Sequence, residues 1–96
     1  MSKPLSEEEI KLKLGELNGW IFENDCLKRN FEFSNFRDAM SFLVRISFEA
    51  DQRDHHPEIF NCYNRVRLSL NTHDAGGKVT DKDFSLASAI DNINKR

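Results

Sequence analysis

The sequence predicts an α+β fold: a four-stranded antiparallel sheet with three helices on one face, in the order α-β-β-α-β-β-α. Three observations predict it. Two capping motifs, Ser6-Glu7-Glu8-Glu9 and Thr80-Asp81-Lys82-Asp83, each open a segment with apolar residues at helical spacing. Two other stretches alternate in polarity around turn-forming residues. The pattern of two strands followed by a helix occurs twice, and amphipathic helices laid over one face of an antiparallel sheet bury it economically.

In the first motif the Ser6 hydroxyl can accept a terminal N–H while Glu9 reaches back. Ile10, Leu14 and Leu17 form the apolar stripe; Gly15 weakens the helix and Asn18-Gly19 stops it. Trp20-Ile21-Phe22 is a short strand, and Glu23-Asn24-Asp25 has turn chemistry. Between Leu27 and Phe33, Leu27, Phe31 and Phe33 share one face, which Arg29 interrupts; Lys28, Asn30 and Glu32 take the other.

Ser34 or Asn35 caps a second helix, from about Phe36 to about Arg53, with Phe36, Ala39, Met40, Leu43, Ile46, Ser47 and Ala50 on its apolar side. Val44 and Phe48 fall outside that stripe. The helix ends before Pro57, whose ring biases His56 toward extended backbone. Ile59 to Asn71 is strand-like. A single strand of that length would span roughly 43 Å, too long for so small a domain. A hairpin turning at Asn64-Arg65 is therefore expected, with Ile59, Tyr63, Val66, Leu68 and Leu70 on one face. Asp74-Ala75-Gly76-Gly77 is a loop, and Leu86, Ile90 and Ile93 mark the buried stripe of the last helix.

The 96 residues suit one domain, 1–96. Fourteen basic against sixteen acidic residues give a net charge of −2. That leaves no basic excess to neutralise phosphates, so no direct nucleic-acid binding is expected. The longest purely apolar run, Phe42–Val44, is far too short to span a membrane. The polar, acidic start, Met1–Glu9, lacks the apolar segment of a signal peptide, so a cytoplasmic protein is expected, with Cys26 and Cys62 as free thiols.

All three histidines lie between positions 55 and 73. A turn centred between Asn64 and Arg65 pairs Tyr63 with Val66, and that register, continued, sets His73 opposite His56. His55, His56 and His73 then converge at one rim of the sheet, with Asp51 and Asp83 at neighbouring helix ends. Imidazoles with carboxylates beside them are suited to proton transfer near neutral pH. These histidines with Cys62 or Asp83 could also supply four zinc ligands. Adjacent histidines on extended backbone face opposite ways, however, and the spacings match no zinc pattern, so no metal is expected. Cys62, mid-strand, reads as packing. Trp20 is either a core residue or a platform on which a flat heterocycle could stack, and it is kept among the candidate substrate-binding residues.

The segment Asp51-Gln52-Arg53-Asp54-His55-His56-Pro57-Glu58, followed by Tyr63, His73 and Thr80…Asp83, resembles the signature of the pterin-4a-carbinolamine dehydratases. Phe60-Asn61-Cys62-Tyr63-Asn64-Arg65-Val66, Thr72-His73 and Gly19-Trp20 match that family's usual surroundings. Two positions depart from its pattern: Asp51 stands where Glu is frequent, and Cys62 where an aliphatic residue is common. The resemblance implies the same α-β-β-α-β-β-α order. It implies a lyase that dehydrates 4a-hydroxytetrahydrobiopterin to quinonoid dihydropterin, recycling the cofactor spent by aromatic amino-acid hydroxylases, with no cofactor or metal of its own. It assigns His55 and His73 as the acid–base pair and His56 to binding and orienting the ring. Asp83 would hold an imidazole, Asp51 would favour its protonated form, and Pro57 would lie among the substrate-binding residues. It further implies a homodimer or homotetramer. Some relatives also serve as dimerisation cofactors of a transcription factor, which leaves a nuclear population open.

Overall fold

The computed structural model describes residues 3–95. Met1 and Ser2, at the head of the polar start, and Arg96 lie outside them. The elements are α1 (Glu7–Leu14), β1 (Ile21–Glu23), β2 (Cys26–Glu32), α2 (Phe36–Gln52), β3 (Glu58–Cys62), β4 (Arg65–Leu70) and α3 (Asp81–Asn94). The four strands form one antiparallel sheet in the spatial order β1-β2-β4-β3. Leu27 and Phe31 of β2 and Val66, Leu68 and Leu70 of β4 point to one face. There they pack with Ala39, Phe42 and Ile46 of α2, Leu86 and Ile90 of α3, and Ile10 of α1. Lys28, Asn30, Arg65 and Arg67 occupy the other face, away from the core. Among the described residues no helix is long and apolar enough to cross a membrane.

Both capping boxes form. Ser6 N donates to Glu9 Oε1 at 3.0 Å and Glu9 N to Ser6 Oγ at 3.1 Å. Thr80 and Asp83 make the equivalent pair at α3. The α1 helix stops at Leu14, before Asn18-Gly19, because Gly15 caps it and the chain runs on through i→i+3 bonds as far as Leu17. Asn24 and Asp25 both take positive φ, 52° and 59°, the conformation that a two-residue turn needs to match strand twist. Arg29, the interruption in the apolar face, bonds Asp91 of α3 at 2.7 Å, and its guanidinium lies 4.5 Å from the Phe31 ring centre.

Two expectations are corrected. The β3–β4 turn is centred between Tyr63 and Asn64, so Cys62 pairs with Arg65 and Ile59 with Leu68. Asn64 is committed elsewhere: its side-chain amide donates to Phe33 O and its own carbonyl accepts from Phe33 N. Tyr63 is left in the turn at φ 53°, off the face it was expected to share with Ile59, and Asn61 Nδ2 closes the loop onto the carbonyls of Tyr63 and Arg65. The second correction is on α2. Its buried residues are Ala39, Phe42, Ile46 and Ala50, while Phe36 is half exposed and Ser47 exposed. At about 100° per residue the buried arc is turned by roughly 45° from the expected one. The cause is α3, which packs beside α2, and the Phe31 and Phe33 rings, which take the Phe42 ring at centroid distances of 4.8 and 4.9 Å.

Candidate active site

The end of α2 places the first histidine. Arg53 caps the helix and Asp54 takes a left-handed φ of 47°. Asp54 N then donates to Asp51 O at 3.1 Å and His55 N to Ala50 O at 3.0 Å, the paired bonds of a Schellman motif. This reversal, with Pro57 barring further helix, turns His55 inward and His56 outward. His55 is 8% exposed. His56 is exposed, and its Nε2 lies 3.6 Å from Asp51 Oδ1, a loose surface contact that contributes little energy. Pro57 is half-buried.

The start of α3 supplies the carboxylate. Asp83 is fully buried, yet both its oxygens are engaged. Oδ1 lies 2.5 Å from His55 Nε2, while Oδ2 accepts from Thr80 N and from the Thr72 hydroxyl, each at 2.9 Å. Thr72 and Thr80 meet through their hydroxyls at 2.6 Å. Thr72 itself is fixed by a bridge to Lys78, and the one-turn helix His73–Ala75 that follows is closed by Gly76 and Gly77, both at φ 75°. His73 sits exposed on that turn.

The loops carrying His55, His56 and His73 therefore do lie at one end of the sheet, before β3 and after β4, but not in the expected register. Continued past the strands, the observed pairing sets Thr72 opposite His55; it does not set His73 opposite His56. Asp83 is the group on which both loops close. A buried carboxylate that receives two donors on one oxygen and faces an imidazole with the other can hold that ring in a fixed orientation for proton transfer.

Trp20 is not part of this arrangement. It is a core residue, edge-on to Phe31, and its indole N–H donates to Asp91 at 2.8 Å. Asp91 is eight residues beyond Asp83 on α3, about 12 Å along the helix at the usual rise. Cys62 is exposed at the end of β3 and does not pack in the core, and both cysteines are free. Among the described residues no three His, Cys, Asp or Glu side chains stand together in a way that could hold a metal ion. Sequence reasoning missed Thr72, whose signal was its place opposite His55 in the correct register. It also missed Asp91, although an arginine on an apolar strand face calls for a buried acid.

The family model described as pterin 4 alpha carbinolamine dehydratase matches residues 3–93. A relative from Opitutus terrae, provisionally named a pterin-4-alpha-carbinolamine dehydratase, is 52% identical over 93% of this chain and 92% of its own length. One from Sulfolobus acidocaldarius, named in the same way, is 51% identical over 93% of this chain and 97% of its own. A crystal structure from Brucella melitensis, described as a transcriptional coactivator/pterin dehydratase, superposes with a TM-score of 0.90 at 35% identity, covering 95% of this chain and 98% of that one.

Proposed function

The chain belongs to the pterin 4 alpha carbinolamine dehydratase family, and on that premise we propose that it is a lyase dehydrating 4a-hydroxytetrahydropterins to quinonoid dihydropterins. The observation that carries the reading is the buried His55–Asp83 contact at the sheet end, flanked by the loops of His56 and His73. In the reaction the C4a–O bond breaks, the N5 proton is lost and a C4a–N5 double bond forms. Hydroxide leaves poorly, so a general acid delivers a proton to it and water departs; a general base takes the proton from N5. His55 and His73 fill these two roles, and His56 binds and orients the ring. Asp83 holds His55 in place, and Asp51 stands beside His56 at the edge of the site. Pro57 stiffens the approach to β3 next to the bound pterin. The product returns to aromatic amino-acid hydroxylation, and the place of work is the cytoplasm.

Stopped-flow spectroscopy of chemically generated 4a-hydroxytetrahydropterin tests this directly. Protein should accelerate dehydration above the spontaneous rate, with EDTA present or absent. No acceleration would refute the dehydratase reading, and loss of rate on chelation restored by zinc would refute the metal-free mechanism.

We also propose a homo-oligomer, dimer or tetramer, assembled through α2. Phe36, Met40, Val44 and Phe48 recur every fourth residue along its outer side, and Val44 and Phe48 are 56% and 65% exposed. Arg37 and Asp51 stand seven residues to either side of Val44. A two-fold antiparallel pairing about Val44 would set each Arg37 against Asp51 of the second copy while covering the apolar ridge.

One observation favours a second reading, an interaction module: the Brucella melitensis protein is described as a coactivator as well as a dehydratase. A dimerisation cofactor of a transcription factor needs none of the three histidines. Retention of biological role by the triple His→Ala protein would support it over the enzyme.

A further inference from the structure

We propose that Thr72 is a positioning residue whose hydroxyl, donated to Asp83, holds in place the carboxylate that sets His55 as the tautomer with hydrogen on Nε2 and leaves Nδ1 as the proton-accepting nitrogen. The inference follows from counting hydrogens in a buried chain. Thr72 is 2% exposed, and Thr80 and Asp83 are fully buried, so a donor or acceptor assigned the wrong way round is costly. Each threonine hydroxyl owns one hydrogen. The Thr80 oxygen already accepts from Lys82 N at 3.2 Å and meets Thr72 Oγ1 at 2.6 Å. Thr72 Oγ1 in turn lies 2.9 Å from Asp83 Oδ2.

Only one direction satisfies every atom. Thr80 donates to Thr72, and Thr72 donates to Asp83. In the reverse direction the Thr80 hydrogen would find no acceptor, and two oxygen lone pairs would face each other at the buried Asp83 Oδ2. With the Thr80 backbone N–H also on Oδ2, that oxygen has two donors. A carboxylate accepts through both oxygens, and Oδ1 calls for one hydrogen of its own. His55 Nε2, 2.5 Å away, supplies it. A neutral imidazole has a single N–H, so the lone pair of His55 is on Nδ1. Among the described residues the ring makes no side-chain bond through Nδ1, and no buried side-chain nitrogen or oxygen lacks a partner. The accepting nitrogen is therefore the one open to a substrate.

The kinetic part rests on the dehydratase reading; the tautomer does not. Protein labelled with ¹⁵N-histidine, assigned through His55→Gln, shows by its ring-nitrogen shifts which nitrogen of neutral His55 is protonated. The expected result is Nε2–H in the wild type. A proton on Nδ1 would overturn the proposal with no variant needed. Thr72→Val keeps the shape and removes the hydroxyl; Asp83 then keeps only one of the two donors on Oδ2, and the ring-nitrogen signals of His55 should shift and broaden. If dehydratase turnover is present, kcat should fall roughly tenfold or more, the lower end of a general acid–base contribution, with KM within about twofold. Thr72→Ser should restore both signals and rate. Ring signals of Thr72→Val superimposable on the wild type would also overturn the role. A wild type that fails to accelerate dehydration removes the enzyme reading but leaves the NMR result to decide the function of Thr72.

Discussion

His55 and Asp83 lie 28 residues apart in the chain and meet at 2.5 Å, both buried. The contact ties the end of α2 to the first turn of α3. Substituting either partner therefore has two readouts, one in stability and one in turnover.

Asp83→Asn should lose on both. An amide offers one oxygen, so it cannot accept from His55 on one side and from Thr72 and Thr80 on the other. A buried donor left without a partner costs about 1–3 kcal/mol, visible in the urea midpoint, and turnover should drop with it. A variant of wild-type turnover would show that the carboxylate serves α3 alone.

The two flanking histidines should separate. His73 is exposed, so His73→Ala should change stability by no more than about 0.5 kcal/mol and lower kcat by roughly tenfold to a thousandfold. His55→Ala should match that kinetic loss and also destabilise by about 1.5–3 kcal/mol, the scale of a hydrogen bond to a charged group, because Asp83 Oδ1 loses its donor. Urea unfolding and single-turnover kinetics on the same preparations check both. Two variants with full activity would refute the assigned roles.

Asp91 joins Trp20 and Arg29 at one oxygen, 2.8 and 2.7 Å away. Asp91→Ala should cost about 3 kcal/mol, the lower end for breaking a buried pair. It should also red-shift the emission of Trp20, the chain's one tryptophan. An unchanged midpoint and spectrum would mean that the pair is stabilised no better than a surface contact.

Phe48→Glu places a charge at the C-terminal end of the α2 ridge. Analytical ultracentrifugation should show a lower oligomeric state with helix content intact by circular dichroism. A wild type that sediments as a monomer, or a variant that sediments like the wild type, would remove the interface from this helix.

The carboxyl of Glu9 is held below its usual value, chiefly by the N–H of Ser6 and then by the Ser6 hydroxyl. A depressed carboxylate contributes stability above its unfolded value and loses it as pH falls through the folded one. Wild type should thus exceed Glu9→Gln in urea midpoint at pH 7, and the gap should close on acidification below pH 4. A gap independent of pH would attribute the effect to shape rather than charge.

What could be read from the chain alone was local. The caps at Ser6 and Thr80, the Asn24-Asp25 turn and the alternation of β2 each depend on residues within a few positions, so their chemistry is written in short segments. The β3–β4 register was not readable, because Asn64 is claimed by Phe33, 31 residues away. The slip was an even one, which preserves the faces of a strand; that is why Ile59, Val66, Leu68 and Leu70 came out on one face while Tyr63, drawn into the turn, and the residue opposite His55 did not. The buried arc of α2 depended on α3, and the place of Trp20 on Asp91, both partners from the far end of the chain.

One carboxylate caps α3 and also holds His55, whereas His73 is exposed on its turn. Selection therefore sees the two positions differently. A descendant that abandoned catalysis for another occupation would still be obliged to keep Asp83, since its helix and its buried threonines require it. Position 73 would be free to drift. Under the proposed roles, the aspartate speaks for a fold retained, and the exposed histidine is the more telling mark of proton-transfer chemistry.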